Sequence, residues 1–379
     1  MYKNIILPAS LLAGTITGAG MFALPYVFGK AGILIGIFYL AVFSLVFVII
    51  HLMYGDIILR TGENHRFSGY AGIYLGTKGK WLAFLTSVVG MLFVLTVYLV
   101  LSISFFNLFA SAAGFFDVYK LLLFWFTGSL AVFIGINRLA ISEFLITADI
   151  AAIIAIIFVY GLAGDFGKIF SVSLFNLNNI FLPYGAVLFS LSGRVAVPAL
   201  LGYFRRNNCQ QIKAKIPIIL GSLAPALIYL LFVFGILSLS ETVSEDAISG
   251  LFNRLPALIL RFLGILGLIC LWSSYIVIGR DIKKSLEHDL KFSGILAGFI
   301  VIAVPLFLYF LGFQNFLGLV ALVGGIFISM EGILIVLIWL KARRANIERQ
   351  EIFLKKINPL VVYFLLLIFV GGMIYEIIY

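Results

Sequence analysis

The chain has 379 residues, of which 63% are hydrophobic, 16% aromatic and 11% charged, with a mean hydropathy of +1.18. A soluble domain carries about 25% charged residues, so this chain has too little charge to wet a globule and its solvent is a bilayer, which excludes a cytosolic enzyme, a nucleic-acid binder and a secreted disulfide scaffold. The net charge of +10 reads as a topology signal, because basic residues collect in the cytoplasmic loops of membrane proteins.

A bilayer core about 30 Å thick takes roughly 20 apolar helical residues per crossing. The chain offers eleven runs of that kind: Ile5 to Phe28, Ile33 to Met53, Trp81 to Ala110, Lys120 to Gly135, Phe144 to Ala163, Ile180 to Phe204, Ile216 to Leu237, Leu255 to Ile278, Phe292 to Leu311, Phe316 to Leu340 and Leu360 to Ile378. They are continuously apolar instead of alternating, which argues for helices and against a β-barrel. The first run is read as a span and not as a cleaved signal, since it continues through Pro25 to Phe28 and carries Thr15 and Thr17. Between the second and third runs, Phe67 to Leu75 is predicted as a short amphipathic surface helix. The acidic stretch Ser238 to Arg254 is long enough for a lid or an ordinary loop, and Lys341 to Lys356 for a short interfacial helix.

With the N-terminus in the cytoplasm, 20 of the 26 Lys and Arg residues fall on the cytoplasmic side and five on the other (Lys30, Lys120, Lys168, Arg254 and Arg261), with Arg194 left inside a span. That asymmetry predicts a multi-pass cell-membrane protein, plasma or inner, with N-terminus inside and C-terminus outside. It also supports the count of eleven, because miscounting one span would invert every loop after it.

Two spans are broken by composition. Gly14-Thr-Ile-Thr-Gly-Ala-Gly20 followed by Pro25 interrupts the first, and Ser190-Leu-Ser-Gly193 followed by Pro198 interrupts the sixth. Unwound backbone is tolerated at membrane depth only where it lines a cavity or is buried in protein. Gly20-Met-Phe-Ala-Leu-Pro25 and Gly193-Arg-Val-Ala-Val-Pro198 share the pattern Gly, any, apolar, Ala, aliphatic, Pro, and enter the membrane from opposite sides. The expected fold class is therefore an all-α membrane protein with a 5+5 inverted repeat, discontinuous helices 1 and 6, and one extra C-terminal helix. It forms a single transporter domain over 1–379, with repeats at about 1–165 and 178–340 and the extra helix at about 358–379.

The stretch Ala13-Gly-Thr-Ile-Thr-Gly-Ala-Gly-Met-Phe-Ala-Leu-Pro25, with Phe189-Ser-Leu-Ser-Gly-Arg-Val-Ala-Val-Pro198 and Trp272-Ser-Ser-Tyr275, resembles the amino acid/auxin permease and aromatic amino acid permease families of the amino acid–polyamine–organocation superfamily. The resemblance implies the leucine-transporter fold. It also implies that the N–H groups of Ala19 and Gly20 face a substrate carboxylate, with Gly14, Thr15, Thr17 and Gly18 lining the break. Tyr98 would close over that carboxylate, and Phe189, Ser192 and Gly193 would form the other wall. Hydroxyls of Ser273 and Ser274, with carbonyls of Gly14 and Thr17, would hold a sodium ion; the alternative for these serines is ordinary backbone bonding. Met21, where sodium-coupled relatives place an oxygen ligand, departs from the pattern.

Buried charge supplies the remaining candidates. Arg194 binds a substrate carboxylate, or acts as a built-in cation that replaces a coupling ion, or pairs permanently with an acidic residue on a neighbouring helix. Asp149 and Glu331 either carry a coupling proton or serve in packing and pairing with Arg194. Asp56, Asp281 and Glu376 are placed at the interface. Two cysteines and three histidines without metal-site spacing predict no metal and no cofactor beyond Na+ or H+ as coupling ion. The expected function is secondary active transport of an amino acid, as a symporter working by alternating access. The alternative is a germinant-receptor-like sensor that binds an amino acid without net transport. An enzyme and a nucleic-acid partner are not expected.

Overall fold

The structure is a computed structural model that describes residues 2–62, 65–110, 116–134, 139–164, 167, 169, 172–240, 242–252, 254–345, 352–354 and 357–378, without the side chains of 2, 109–110 and 139–149. Among the described residues fourteen α-helices follow one another: α1 Leu7–Ile16, α2 Leu24–Ala31, α3 Ile33–Thr61, α4 Phe67–Ala110, α5 Asp117–Ile134, α6 Leu139–Ala163, α7 Pro183–Leu191, α8 Ala196–Arg206, α9 Lys215–Leu239, α10 Ala257–Asp289, α11 Gly294–Phe310, α12 Phe316–Leu322, α13 Ser329–Arg344 and α14 Pro359–Ile378. Of the described residues, eight helical segments are long and apolar enough to cross a membrane, the bent pair at the start makes a ninth, and Ile150–Ala163 and Gly294–Phe310 are shorter apolar helices. Rows of exposed apolar side chains, such as Leu123, Phe126 and Leu130 on α5 and Leu360, Tyr363 and Leu367 on α14, form the lipid-facing surface.

The two breaks predicted from Gly, Ser and Pro are present. Helix α1 ends at Ile16, Thr17 turns extended (φ −73°, ψ 95°), and a 3-10 turn over Ala19–Ala23 leads into α2 at 53° to the first half. Helix α7 ends at Leu191 with Ser192 extended (φ −69°, ψ 123°), and α8 begins at Ala196. Pro25 and Pro198 each fall in the first turn of the following helix, where a missing N–H costs nothing.

Several boundaries differ from the hydropathy reading. Helix α3 runs past Met53 to Thr61 and stops at left-handed Gly62 (φ 75°). Helix α10 continues past Ile278 through Arg280 and Asp281 to Asp289, because helix propensity persists where hydropathy ends. The segment 67–75 and the third span are one helix kinked at Gly76, whose φ of 77° and ψ of −168° suit glycine. Phe67 and Tyr70 are buried, with edge contacts to Tyr54 at 5.9 and 6.1 Å, so this first part is built into the core instead of lying on the surface.

Asp56 is not interfacial. It is fully buried and accepts hydrogen bonds from Phe353 N–H (2.6 Å), Leu354 N–H (3.2 Å) and the Trp339 indole (3.2 Å), pinning the segment between α13 and α14 against α3. Lys215 Nζ donates to the Phe353 carbonyl at 3.0 Å. The preceding stretch 346–351 of the expected interfacial helix lies outside the described residues. In the stretch read as either a lid or an ordinary loop, Asp246 accepts from Ser244 and Ser249, and Ala247, Ile248 and Leu251 are buried. That loop is therefore packed and internally bonded.

Candidate functional site

The two breaks cross at the centre of the bundle, and their glycines permit the approach. A Cβ on Gly20 would come within 2.7 Å of the Ser190 Cα, and one on Gly193 would run into the Ile16 side chain. The glycine positions of the shared six-residue pattern are thus the points where each break meets the other half.

A cavity of about 150 Å³ lies between them, lined by Thr15, Gly18, Ala19, Gly20, Tyr98, Phe189, Ser192, Gly193, Arg194 and Glu331 among others. Backbone polarity shapes it. The first hydrogen bond after the first break runs from Met21 N–H to Gly18 O (3.2 Å), which leaves the N–H groups of Ala19 and Gly20 ahead of the ladder. After the second, Ala196 N–H reaches Gly193 O (3.0 Å) and Val197 N–H reaches Arg194 O (3.1 Å), leaving those of Arg194 and Val195 ahead of theirs. Amides at helix starts carry partial positive charge and suit an anionic group.

The rest of the wall is mostly apolar and aromatic. Phe189 and Tyr98 stand with Met91, Val94 and Phe327, and the hydroxyl-bearing Thr86 and Ser87 are on α4. Val323, Phe327 and Ile328 come from a π-helical turn, Val323–Ile328, that joins α12 to α13. Such turns recur at functional sites because the widened backbone re-aims side chains. Thr15 is solvent-exposed while Phe22, Phe105 and Phe232, beyond Gly20, are sealed by edge contacts at 5.2 and 5.5 Å. The cavity is therefore open at the α1 end and closed at the α2 end.

Arg194 is paired. Its Nε lies 2.6 Å from Glu331 Oε1, with side-chain exposures of 9% and 12%, although the Nε–H is not aimed along that line. The guanidinium also sits over the rings of Phe67 (4.5 Å) and Tyr54 (5.7 Å). Asp281 lines the cavity too; with Ser285 it receives Arg66 Nη1, at 3.4 and 2.7 Å. The interfacial position expected for Asp281 thus becomes the rim of the cavity, because α10 extends further than hydropathy suggests.

The remaining candidates whose side chains are described lie apart from the cavity wall. Thr17 is buried and donates to Ala13 O at 2.8 Å, Ser273 is buried, and Ser274 stands near the Tyr98 hydroxyl. Gly14 is a residue of α1 outside the lining. Asp149 falls among the side chains outside the described residues. No group of three His, Cys, Asp or Glu able to hold a metal occurs among the described residues.

Two broken helices crossing around a mid-bundle cavity, with amide ends turned into it, define a membrane transporter of the leucine-transporter fold. The solved structure of Mhp1, a nucleobase-cation-symport-1 family transporter in a closed conformation with bromovinylhydantoin bound, is similar over 98% of this chain and 90% of that one, at a TM-score of 0.66 and 15% identity. The chain belongs to the tryptophan/tyrosine permease family, whose profile matches residues 1–376. No curated protein matches it in sequence.

Proposed function

We propose that the protein is a secondary active transporter of aromatic amino acids, tryptophan or tyrosine, working by alternating access and driven by H+ or Na+. The observation that carries this reading is the cavity between the breaks: free amide ends at Ala19 and Gly20 for a carboxylate, beside a wall of Phe189, Tyr98, Met91 and Phe327 for a ring. The family description agrees with an aromatic side chain.

In this reading the chain crosses eleven times, counting the eight long segments, the bent pair and the two shorter apolar helices. Repeats at about 1–165 and 178–340 are inverted, the helix at about 358–379 stands outside them, and the N-terminus is cytoplasmic. The shared Gly-to-Pro pattern and the Lys/Arg bias support this arrangement. The open end of the cavity then faces the cytoplasm. Thr15, Gly18, Ala19, Gly20, Tyr98, Phe189, Ser192 and Gly193 contact substrate, while Arg194 acts as a cation held by Glu331.

Uptake by the purified protein in proteoliposomes, across a panel of labelled amino acids with an imposed pH or Na+ gradient, tests the proposal. Accumulation of tryptophan or tyrosine well above leucine, alanine and lysine is expected, and the gradient that drives it names the ion. Binding without uptake or counterflow would refute transport in favour of a sensor.

A further inference from the structure

Tyr229, in the middle of α9, belongs to neither break and does not line the cavity, yet it is fully buried. Its hydroxyl lies 2.9 Å from the carbonyl oxygen of Ile16 and 2.7 Å from that of Ser190. Ile16 is the last residue of α1, and Ser190 is next to last in α7. Both carbonyls therefore belong to helix C-terminal ends, where the intrahelical donor is missing and partial negative charge collects. A phenol has one proton, so two electron-rich carbonyls from two separate broken helices share a single donor. The breaks touch at this point, since a Cβ on Gly20 would meet the Ser190 Cα.

Carbonyls at the ends of broken helices are the groups that hold a coupling cation when one is used. Here a side-chain hydroxyl of the chain itself fills the point between the two. We propose that Tyr229 is a positioning residue of the transport cycle, whose single proton ties the carbonyl ends of α1 and α7 together and so holds their partner amide ends in register around the substrate. Tyr229 does not touch substrate. Removing its hydroxyl leaves two carbonyls opposed without a donor, a repulsion that the half-helices relieve by moving apart.

The inference rests on the transport reading above. Tyr229→Phe in the full chain, reconstituted in proteoliposomes with labelled L-tryptophan and with rates expressed per binding-competent site, is expected to keep the Kd within about threefold and to lower turnover about tenfold or more. Wild-type turnover in Y229F, or a Kd that weakens in step with turnover, would overturn it. If Y229F does not yield folded protein, Tyr229→Gln and Tyr229→Leu replace it. They are similar in size and differ in an N–H donor, so Y229Q is expected to be at least threefold faster, and equal rates reject the tie. Wild-type protein that carries no aromatic amino acid refutes the transport reading instead. The tie is then read from spin labels at Thr15→Cys and Ser192→Cys, whose distance distribution is expected to broaden or lengthen in Y229F; an unchanged distribution would reject it.

Discussion

Glu331→Gln removes the carboxylate facing Arg194 and leaves the guanidinium where it is. Nε and Oε1 are 2.6 Å apart on side chains 9% and 12% exposed. With charge centres about 4 Å apart and an effective dielectric of about 20, the attraction is about 4 kcal/mol, and orphaning one member of a buried pair costs about 3–5 kcal/mol. Two features reduce that figure: the rings of Phe67 and Tyr54 still face the cation, and the cavity admits water to it. The expected loss of stability is about 2–3 kcal/mol by this reckoning. Arg194→Gln strands the Glu331 carboxylate instead, which the cavity also admits water to, so a loss of similar size is expected. The double variant removes both charges and should be no less stable than either single one, a coupling of about 2 kcal/mol or more. Unfolding free energies of the four proteins in mixed micelles of rising SDS fraction measure the cycle. Neutral single variants, or losses that simply add in the double variant, would refute a paired arginine.

Gly20→Ala should lower stability by about 1–3 kcal/mol through overpacking and abolish uptake, because the new Cβ would sit 2.7 Å from backbone at Ser190; normal uptake by G20A would contradict the crossing of the breaks. Asp56→Asn replaces a carboxylate that accepts two backbone amides and an indole, so it should cost about 2 kcal/mol, with Asp56→Ala at least as damaging. The same SDS titration measures both, and wild-type stability in D56A would remove the anchor. Among tryptophan analogues competing for uptake, indole-3-propionate, which keeps the carboxylate, should bind at least tenfold more tightly than tryptamine, which keeps only the amine. The reverse order would refute a carboxylate at Ala19 and Gly20.

Both breaks were legible in the chain because their cause is local. Glycine, serine and proline disrupt a helix wherever they cluster, and the shared pattern even marked the two glycines at which the breaks meet. Arg194 and Glu331 stood out as charges among apolar residues, but their pairing spans the fold and has no signature in sequence spacing. Tyr229 was hidden for a different reason: one tyrosine among 17 in an apolar chain is unremarkable until two carbonyls converge on it. The same holds for Asp56, which hydropathy placed at an interface because charge near a span end usually snorkels to water. Its three donors come from α13 and the segment that follows it, and only folding delivers them. The π-helical turn at Val323–Ile328 follows from a backbone choice that Val-Gly-Gly permits without requiring.

The polarity of a broken helix ties these features together. Each break produces one end rich in carbonyls and one rich in amides, and the two cannot be used in the same way. The amide ends at Ala19–Gly20 and Arg194–Val195 lie in the cavity lining, while the carbonyls of Ile16 and Ser190 are taken up by the Tyr229 hydroxyl. Neutralising the carbonyl ends elsewhere leaves the cavity with a positive backbone field, and Arg194 adds to it. Glu331 and Asp281 offset that charge at the open end, where Arg66 also reaches Asp281. On the transport reading proposed above, an amino acid finds amides for its carboxylate at Ala19 and Gly20 and carboxylates for its ammonium at Glu331 and Asp281, so a molecule carrying only one of the two charges gains only part of the field.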